Sequence, residues 1–106
     1  MISIRPKKIA NLLEVIQEHI KAGRYRDTSH AIQRKKERKI ILPEILHVLR
    51  TGRHEKSKDY YEERFHSWNY SICGATIDKE DLRVIVSFEE KDLLVITAFY
   101  LEKKGQ

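Results

Sequence analysis

His30, Arg34 and Arg38 stand four residues apart in the stretch TSHAIQRKKERKI, residues 28–40. An imidazole can move a proton, and two guanidinium groups can grip phosphate. Those are the side chains that phosphate-ester chemistry asks for. On a helix, steps of four residues keep all three on one slowly turning face, about 12 Å from first to last along the axis. A single phosphate does not span that distance, whereas an extended strand with successive phosphates does. His30 would sit near the helix N-terminus, where backbone N–H groups favour an anion and disfavour a protonated ring. A neutral, proton-accepting imidazole is therefore expected. The competing reading is a solvated basic face, the usual meaning of a charge run. No metal site is expected at His30: position 34 is arginine, and His19, His47, His54 and His66 are scattered.

The chain around this stretch has 106 residues, which suits one domain spanning 1–106 with one modest core. Hydrophobic residues make up 41% and charged residues 35%, a globular balance. No apolar run approaches the ~20 residues that span a bilayer. The opening MISIRPKK lacks the long apolar segment of a signal peptide. A single cysteine, Cys73, excludes an internal disulfide. Together these lead to the expectation of a cytoplasmic protein with no membrane partner.

The net charge is +5 and the pI about 9.4, which favours an anionic partner, most simply nucleic acid. The excess is concentrated. Residues 21–39 hold Lys21, Arg24, Arg26, Arg34, Lys35, Lys36, Arg38 and Lys39 against only Asp27 and Glu37. Arg24, Arg26 and Lys35 are thus added as candidate RNA contacts. Other machinery is excluded: there is no glycine-rich phosphate loop, serine nucleophile elbow, EF-hand loop or CxxC pair.

Three helices must position the basic stretch. Ile9, Leu12, Leu13, Ile16 and Ile20 make one apolar stripe over 6–22, with Pro6 at the start and Gly23 at the stop. The second helix runs from about 29 to 38, capped by Asp27, Thr28 or Ser29. Its apolar content is too thin for a core helix. Leu42-Pro43-Glu44 opens a third, which buries Ile45, Leu46, Val48 and Leu49 and ends at Gly52. Residues 53–59 read as a polar link.

The period then changes to two. Four strands are expected at about 60–65, 68–77, 82–88 and 93–101, joined by short links and therefore antiparallel. The last is apolar on both parities and belongs inside the sheet. The tail 102–106 is expected to fray. The fold class is α+β, with three N-terminal helices (6–52) followed by a four-stranded antiparallel sheet (60–101).

The sheet offers further candidates. Arg83 lies mid-strand on the parity of Ile85 and Ser87, opposite Leu82, Val84, Val86 and Phe88. In 68–76, Trp68, Tyr70 and Ile72 oppose Asn69, Ser71 and Cys73. Thr97 and Tyr100 have opposite parity, so at most one shares a face with Arg83. Tyr70 and Trp68 offer rings for stacking bases, although strand aromatics are more often core. Cys73 reads as a small buried hydrophobe.

The segment SHAIQRKKERKIILPEILHVLRTGRHE resembles the opening of domain-of-unknown-function family 4258, through His30, Ala31, Arg34, Arg38, Ile40, Glu44, Val48, Leu49 and Gly52. WNYSICGATIDKEDLRVIVSFEEKDLLVITAFY is similar to that family's Tyr-x-x-x-Gly, Leu-Arg-Val-x-Val and Ile-Thr strands. Asn69 departs from the pattern where an arginine is common, and Lys35 where an apolar residue stands nearby. The resemblance implies a fold akin to RelE-like and barnase-like ribonuclease toxins. It implies a place in a toxin–antitoxin pair, with RNA as substrate and a small antitoxin as partner, in some cases of zinc-finger, helix-turn-helix type. The layout of the N-terminal half is also similar to motility quorum-sensing regulator toxins.

The implied activity is an endoribonuclease with no metal or cofactor, in which the ribose 2′-OH attacks the adjacent phosphate. Arg34 and Arg38 would hold phosphate, His30 would act as general base or orienter, and Arg83 would be a second phosphate contact. Thr97 or Tyr100 would line the floor, and Arg24, Arg26, Lys35 and Tyr70 would bind RNA. The alternative is a non-catalytic RNA- or protein-binding module using the basic 24–39 face. A catalytic site implies abolition of activity by single changes; a binding face implies graded losses.

Overall fold

The computed structural model describes residues 5–102. Three ten-residue helices form: α1 (Leu12–Lys21), α2 (Ser29–Arg38) and α3 (Leu42–Thr51). Six strands accompany them: β1 (Tyr25–Asp27), β2 (Arg53–His54), β3 (Tyr60–Glu62), β4 (Ser67–Ala75), β5 (Asp81–Glu89) and β6 (Asp92–Tyr100). Among the described residues no helix is long and apolar enough to cross a membrane.

The helix ends follow local chemistry. Thr28 caps α2, its hydroxyl accepting from the Ala31 N–H at 3.1 Å. Lys39 closes it in the left-handed region at φ 57°, so that the Ile40 N–H reaches the Lys35 carbonyl at 2.9 Å. Proline stands in the first turn of α3. The first helix is shorter than the expected 6–22, because residues ahead of Leu12 are engaged elsewhere. The Trp68 indole donates to the Pro6 carbonyl at 2.8 Å, and the Ile9 N–H donates to the Tyr70 hydroxyl at 3.1 Å. That segment is a strap across the sheet edge.

The sheet corrects the expected architecture. It is not four-stranded and antiparallel but six-stranded and mixed, in the order β1-β6-β5-β4-β2, with β3 also on β4. The meander β3-β4-β5-β6 is antiparallel, as the short links required. β6 is interior, flanked by β5 and by β1, which pairs parallel to it through Tyr25–Leu93 and Asp27–Val95. β1 and β2 have three and two residues, too few to show a period of two. Most of the expected frayed tail falls outside the described residues.

The polar link 53–59 is structured. β2 and β3 occupy the same edge of β4 and leave a gap between them at Tyr70 and Ser71. Unpaired backbone groups there need partners. The Asp59 carboxylate accepts from the Ser71 N–H at 2.9 Å, and the Glu55 N–H donates to the Ser71 carbonyl at 2.8 Å. His54 and Lys8 hold Asp59 from the other side at 2.6 and 2.8 Å.

One sheet face carries the core. Tyr70 and Ile72 of β4, Leu82, Val84 and Val86 of β5, and Leu93, Val95 and Ala98 of β6 pack with Leu12 and Ile16 of α1 and Ile45, Val48 and Leu49 of α3. Close approach of α3 to β4 needs two glycines. A Cβ on Gly52 would stand 2.6 Å from the Cys73 carbonyl oxygen, and one on Gly74 would stand 2.9 Å from the Gly52 Cα.

A bulge in β6 decides what the opposite face carries. Val86 pairs with Val95 but Ile85 pairs with Thr97, leaving Ile96 as the extra residue. Leu93 and Val95 face the core, yet Thr97 and Phe99, of the same parity, lie on the opposite face. The bulge also anchors α2: the Thr28 N–H donates to the Val95 carbonyl at 3.1 Å and its hydroxyl to the Ile96 carbonyl at 3.4 Å.

Candidate nucleic-acid interface

The face turned away from α1 and α3, here the far face, is built in rows across the strands. Strand register places Tyr60, Asn69, Ser87 and Leu94 in one row, Ser71, Ile85 and Thr97 in the next, and Arg53, Cys73, Arg83 and Phe99 in a third. Successive rows are about 7 Å apart along a strand.

α2 brings one of its three catalytic candidates, His30, Arg34 and Arg38, to this face. The helix packs along β6, with Ala31 buried and Lys35 and Arg38 half-buried on the same side. Positions 31, 35 and 38 form the inward stripe. Arg38 donates through Nη1 to the Ala98 carbonyl at 2.7 Å and to the Thr97 hydroxyl at 3.3 Å. Its guanidinium carbon lies 5.8 Å from the centre of the Phe99 ring. That of Arg83 lies 5.7 Å from the same ring centre. Two arginines distant in sequence, one from α2 and one from β5, thus share one aromatic surface, with the Thr97 hydroxyl at Arg38.

His30 and Arg34 are not brought into this cluster. Eight residues of helix turn by about 80° beyond two full turns and advance about 12 Å, so His30 is rotated away from the sheet when Arg38 meets it. His30 is exposed. Arg34 donates to Glu37 on its own helix at 3.0 Å, with 42% of its side chain exposed.

The remaining candidates divide similarly. Thr97 shares the Arg83 face. Tyr100 is paired with Leu82 on the core side, and burial together with the Glu80, Glu44 and Asp78 carboxylates pushes its hydroxyl pKa up. Tyr70 is 3% exposed in the core, its hydroxyl accepting from Ile9, and is closed to a base. Arg26 pairs with Glu89 at 3.3 Å and Asp92 at 3.2 Å. Lys35 is paired with Asp27, both largely buried. Arg24 is exposed.

Sequence reasoning missed Glu55 and Phe99. The Glu55 carboxylate accepts from Arg83 Nε at 2.6 Å, Arg83 Nη2 at 2.9 Å and the Ser71 hydroxyl at 3.0 Å. This two-pronged geometry is the strong form of the pair. Hydrogen bonding to Arg83 holds the Glu55 carboxyl below its ordinary range, and the same bond raises the Arg83 pKa. Burial pushes the Cys73 thiol up, keeping it protonated and inert. Nothing in RHEKSKD marks Glu55 from its neighbours; only the Ser71 backbone contact seats it over the sheet. Phe99 needed the bulge to be known. Among the described residues no three of His, Cys, Asp and Glu cluster in the manner of a metal site.

A depressed carboxyl pKa has a defined consequence for stability. The Glu55 contribution is fully present above the unfolded value near 4.5 and is lost as pH falls through the lower folded value. Urea unfolding of wild type and Glu55→Gln should therefore differ most above pH 5. The difference should narrow steadily below pH 4.5. A constant gap from pH 6 to pH 3 would show that the pair contributes nothing pH-dependent.

The family model described as "Domain of unknown function (DUF4258)" matches residues 28–100. The chain belongs to that family. No curated protein and no solved structure gives a significant match. The DUF4258 region opens at the Thr28 cap of α2 and closes at the end of β6, so it contains Arg38, Glu55, Arg83, Thr97 and Phe99 together. α1 and β1 lie outside it.

Proposed function

We propose that the far face binds RNA and that this DUF4258 chain acts there as a metal-independent endoribonuclease, the toxin of a toxin–antitoxin pair. Kinship with RelE-like ribonuclease toxins and control by a small antitoxin belong to the same proposal, as does a cytoplasmic site of action. The observation that supports it is the convergence of Arg38 and Arg83 on Phe99 beside the Thr97 hydroxyl. Guanidinium groups stabilise the charge that gathers on a pentacovalent phosphate, and an aromatic ring beside them is the kind of surface on which a base stacks.

In the proposed reaction the ribose 2′-oxygen attacks phosphorus and the P–O5′ bond breaks. The products are a 2′,3′-cyclic phosphate and a free 5′-hydroxyl. The 2′-OH proton and the proton gained by the 5′-oxygen pass through water. Arg38 is the principal phosphate ligand, Arg83 the second, and Thr97 orients the phosphate. His30 and Arg34 lie along the approach of a longer strand, where they contribute to its binding.

One observation favours a second reading, a non-catalytic RNA- or protein-binding module. Arg83 is already clamped by Glu55, and among the described residues no imidazole stands beside the Arg38 cluster. Brief induced expression in bacterial cells, with mapping of RNA ends, separates the two. New ends carrying 5′-hydroxyls support the ribonuclease. Folded protein that binds RNA and makes no new ends supports the binding module.

A further inference from the structure

One row from Thr97 on the far face, toward the β3–β4 hairpin, lies a cavity of about 530 Å³. That volume is within the range of small-molecule sites. Leu94 and Ile96 make part of its lining apolar, and the rings of Tyr60 and Phe65 stand at its rim. Tyr60 and Phe65 are 46% and 72% exposed, and the Arg64 guanidinium carbon lies 5.5 Å from the Phe65 ring centre, so Phe65 offers a base its other face.

A single buried amide marks the interior. Asn69 is 7% exposed and lines the cavity. Its carboxamide has no hydrogen-bond partner among the described residues. Two of the lining hydroxyls are committed: Ser87 donates to the Trp68 carbonyl at 2.8 Å, and Thr28 is engaged with Ile96 and Ala31. The carboxamide is open to an occupant of the cavity and not sealed within the fold, where among the described residues Asp27 Oδ1 is the side-chain atom both buried and unpaired. A carboxamide presents one donor and one acceptor side by side. The complement is a ligand edge with an adjacent acceptor and donor, carried on a flat ring.

We propose that this cavity is a nucleobase subsite, in which the Asn69 carboxamide pairs with the base edge and Tyr60 and Phe65 stack on its faces. Nucleobases offer paired donor–acceptor edges and π-faces together. Phosphate does not suit the cavity, since Glu62 and Glu89 line it as well as Arg64. The inference rests on the RNA reading of the far face and deepens it. The Asn69 row is one step, about 7 Å, from the Thr97 row, and β5 separates β4 from β6, so a base held here lies within reach of a strand whose phosphate meets Arg38. The subsite would choose the nucleotide next to the cut.

Free nucleosides test the cavity without any phosphate. Adenosine, cytidine, guanosine and uridine are titrated separately into the ¹⁵N-labelled chain, with ribose as control. At least one nucleoside should shift the Asn69 side-chain amide signals, and ribose should not. Phe65→Ala, at an exposed position that folding does not need, should weaken that nucleoside at least about fivefold. Asn69→Leu, with its spectrum otherwise intact, should abolish the base preference. Unmoved Asn69 signals at millimolar nucleoside, an equal response to ribose, or undiminished affinity in Phe65→Ala would each overturn the proposal. Nucleoside binding without RNA cleavage in cells would support the subsite while removing the ribonuclease reading.

Discussion

Arg38→Ala should lower RNA cleavage by about 10²–10³-fold, the usual loss when one preorganised charge-stabilising group is removed. The side chain is held by the Ala98 carbonyl and the Thr97 hydroxyl through Nη1 alone. A guanidinium has five N–H donors, so the rest of its fork can turn to an incoming phosphate. Its position costs no reorganisation at the moment of reaction, because β6 and the end of α2 already define it. Arg38→Lys should rescue little, since an ammonium cannot hold two phosphate oxygens in that planar geometry. Losing the Ala98 bond costs stability of only about 1 kcal/mol, so the variant should fold. Cleavage is best read as new 5′-hydroxyl ends in cells and as product formation in vitro. His30→Ala and Arg34→Ala provide the contrast, with weaker RNA binding and cleavage largely retained. Full activity in folded Arg38→Ala would remove the cluster from the mechanism. Abolition by His30→Ala instead would mean that α2 rearranges when RNA binds.

Gly52→Ala should destabilise the fold by about 1–3 kcal/mol, an overpacking cost, although it adds only a methyl group. Helix propensity has no part in this, since Gly52 follows the last turn of α3 with an extended backbone. The added Cβ would meet the Cys73 and Val48 carbonyl oxygens, each at 2.6 Å. Both are backbone atoms, one in the middle of the sheet and one in α3, so neither can turn aside as a side chain would. Relief requires α3 to lift from β4 over the closely packed Gly74. A thermal melt should show Tm lower by about 5–15 °C. The same displacement acts on the site, because Gly52 leads directly into β2 and Glu55. The pH-dependent part of the stability carried by Glu55 and Arg83 should shrink with it. An unchanged Tm would show that the α3–β4 contact is looser than its geometry indicates.

By itself the sequence determined the elements long enough to carry a period: α2, α3, the four strands from Tyr60 onward, and the separation of Leu82, Val84 and Val86 from Arg83, Ile85 and Ser87 on opposite faces of β5. Local chemistry was enough there, because propensity, capping and alternation all act within a few residues. Membership of the DUF4258 family was legible for the same reason, in the ordered run from His30 to Thr97. The site was legible only in part. Arg38, Arg83 and Thr97 were chosen by residue type, but so were His30, Arg34, Tyr70 and Tyr100, which lie elsewhere. Tertiary structure separated them through three long-range facts. The pairing of β1 with β6 aims α2 so that position 38, and not position 30, meets the sheet. The extra residue Ile96 turns Thr97 and Phe99 to the Arg83 side, against the parity of Leu93 and Val95. The gap between β2 and β3 pulls the polar link 53–59 onto β4 and sets Glu55 on Arg83. Each depends on which segments meet across the fold, and register between distant segments leaves no periodic trace in either of them.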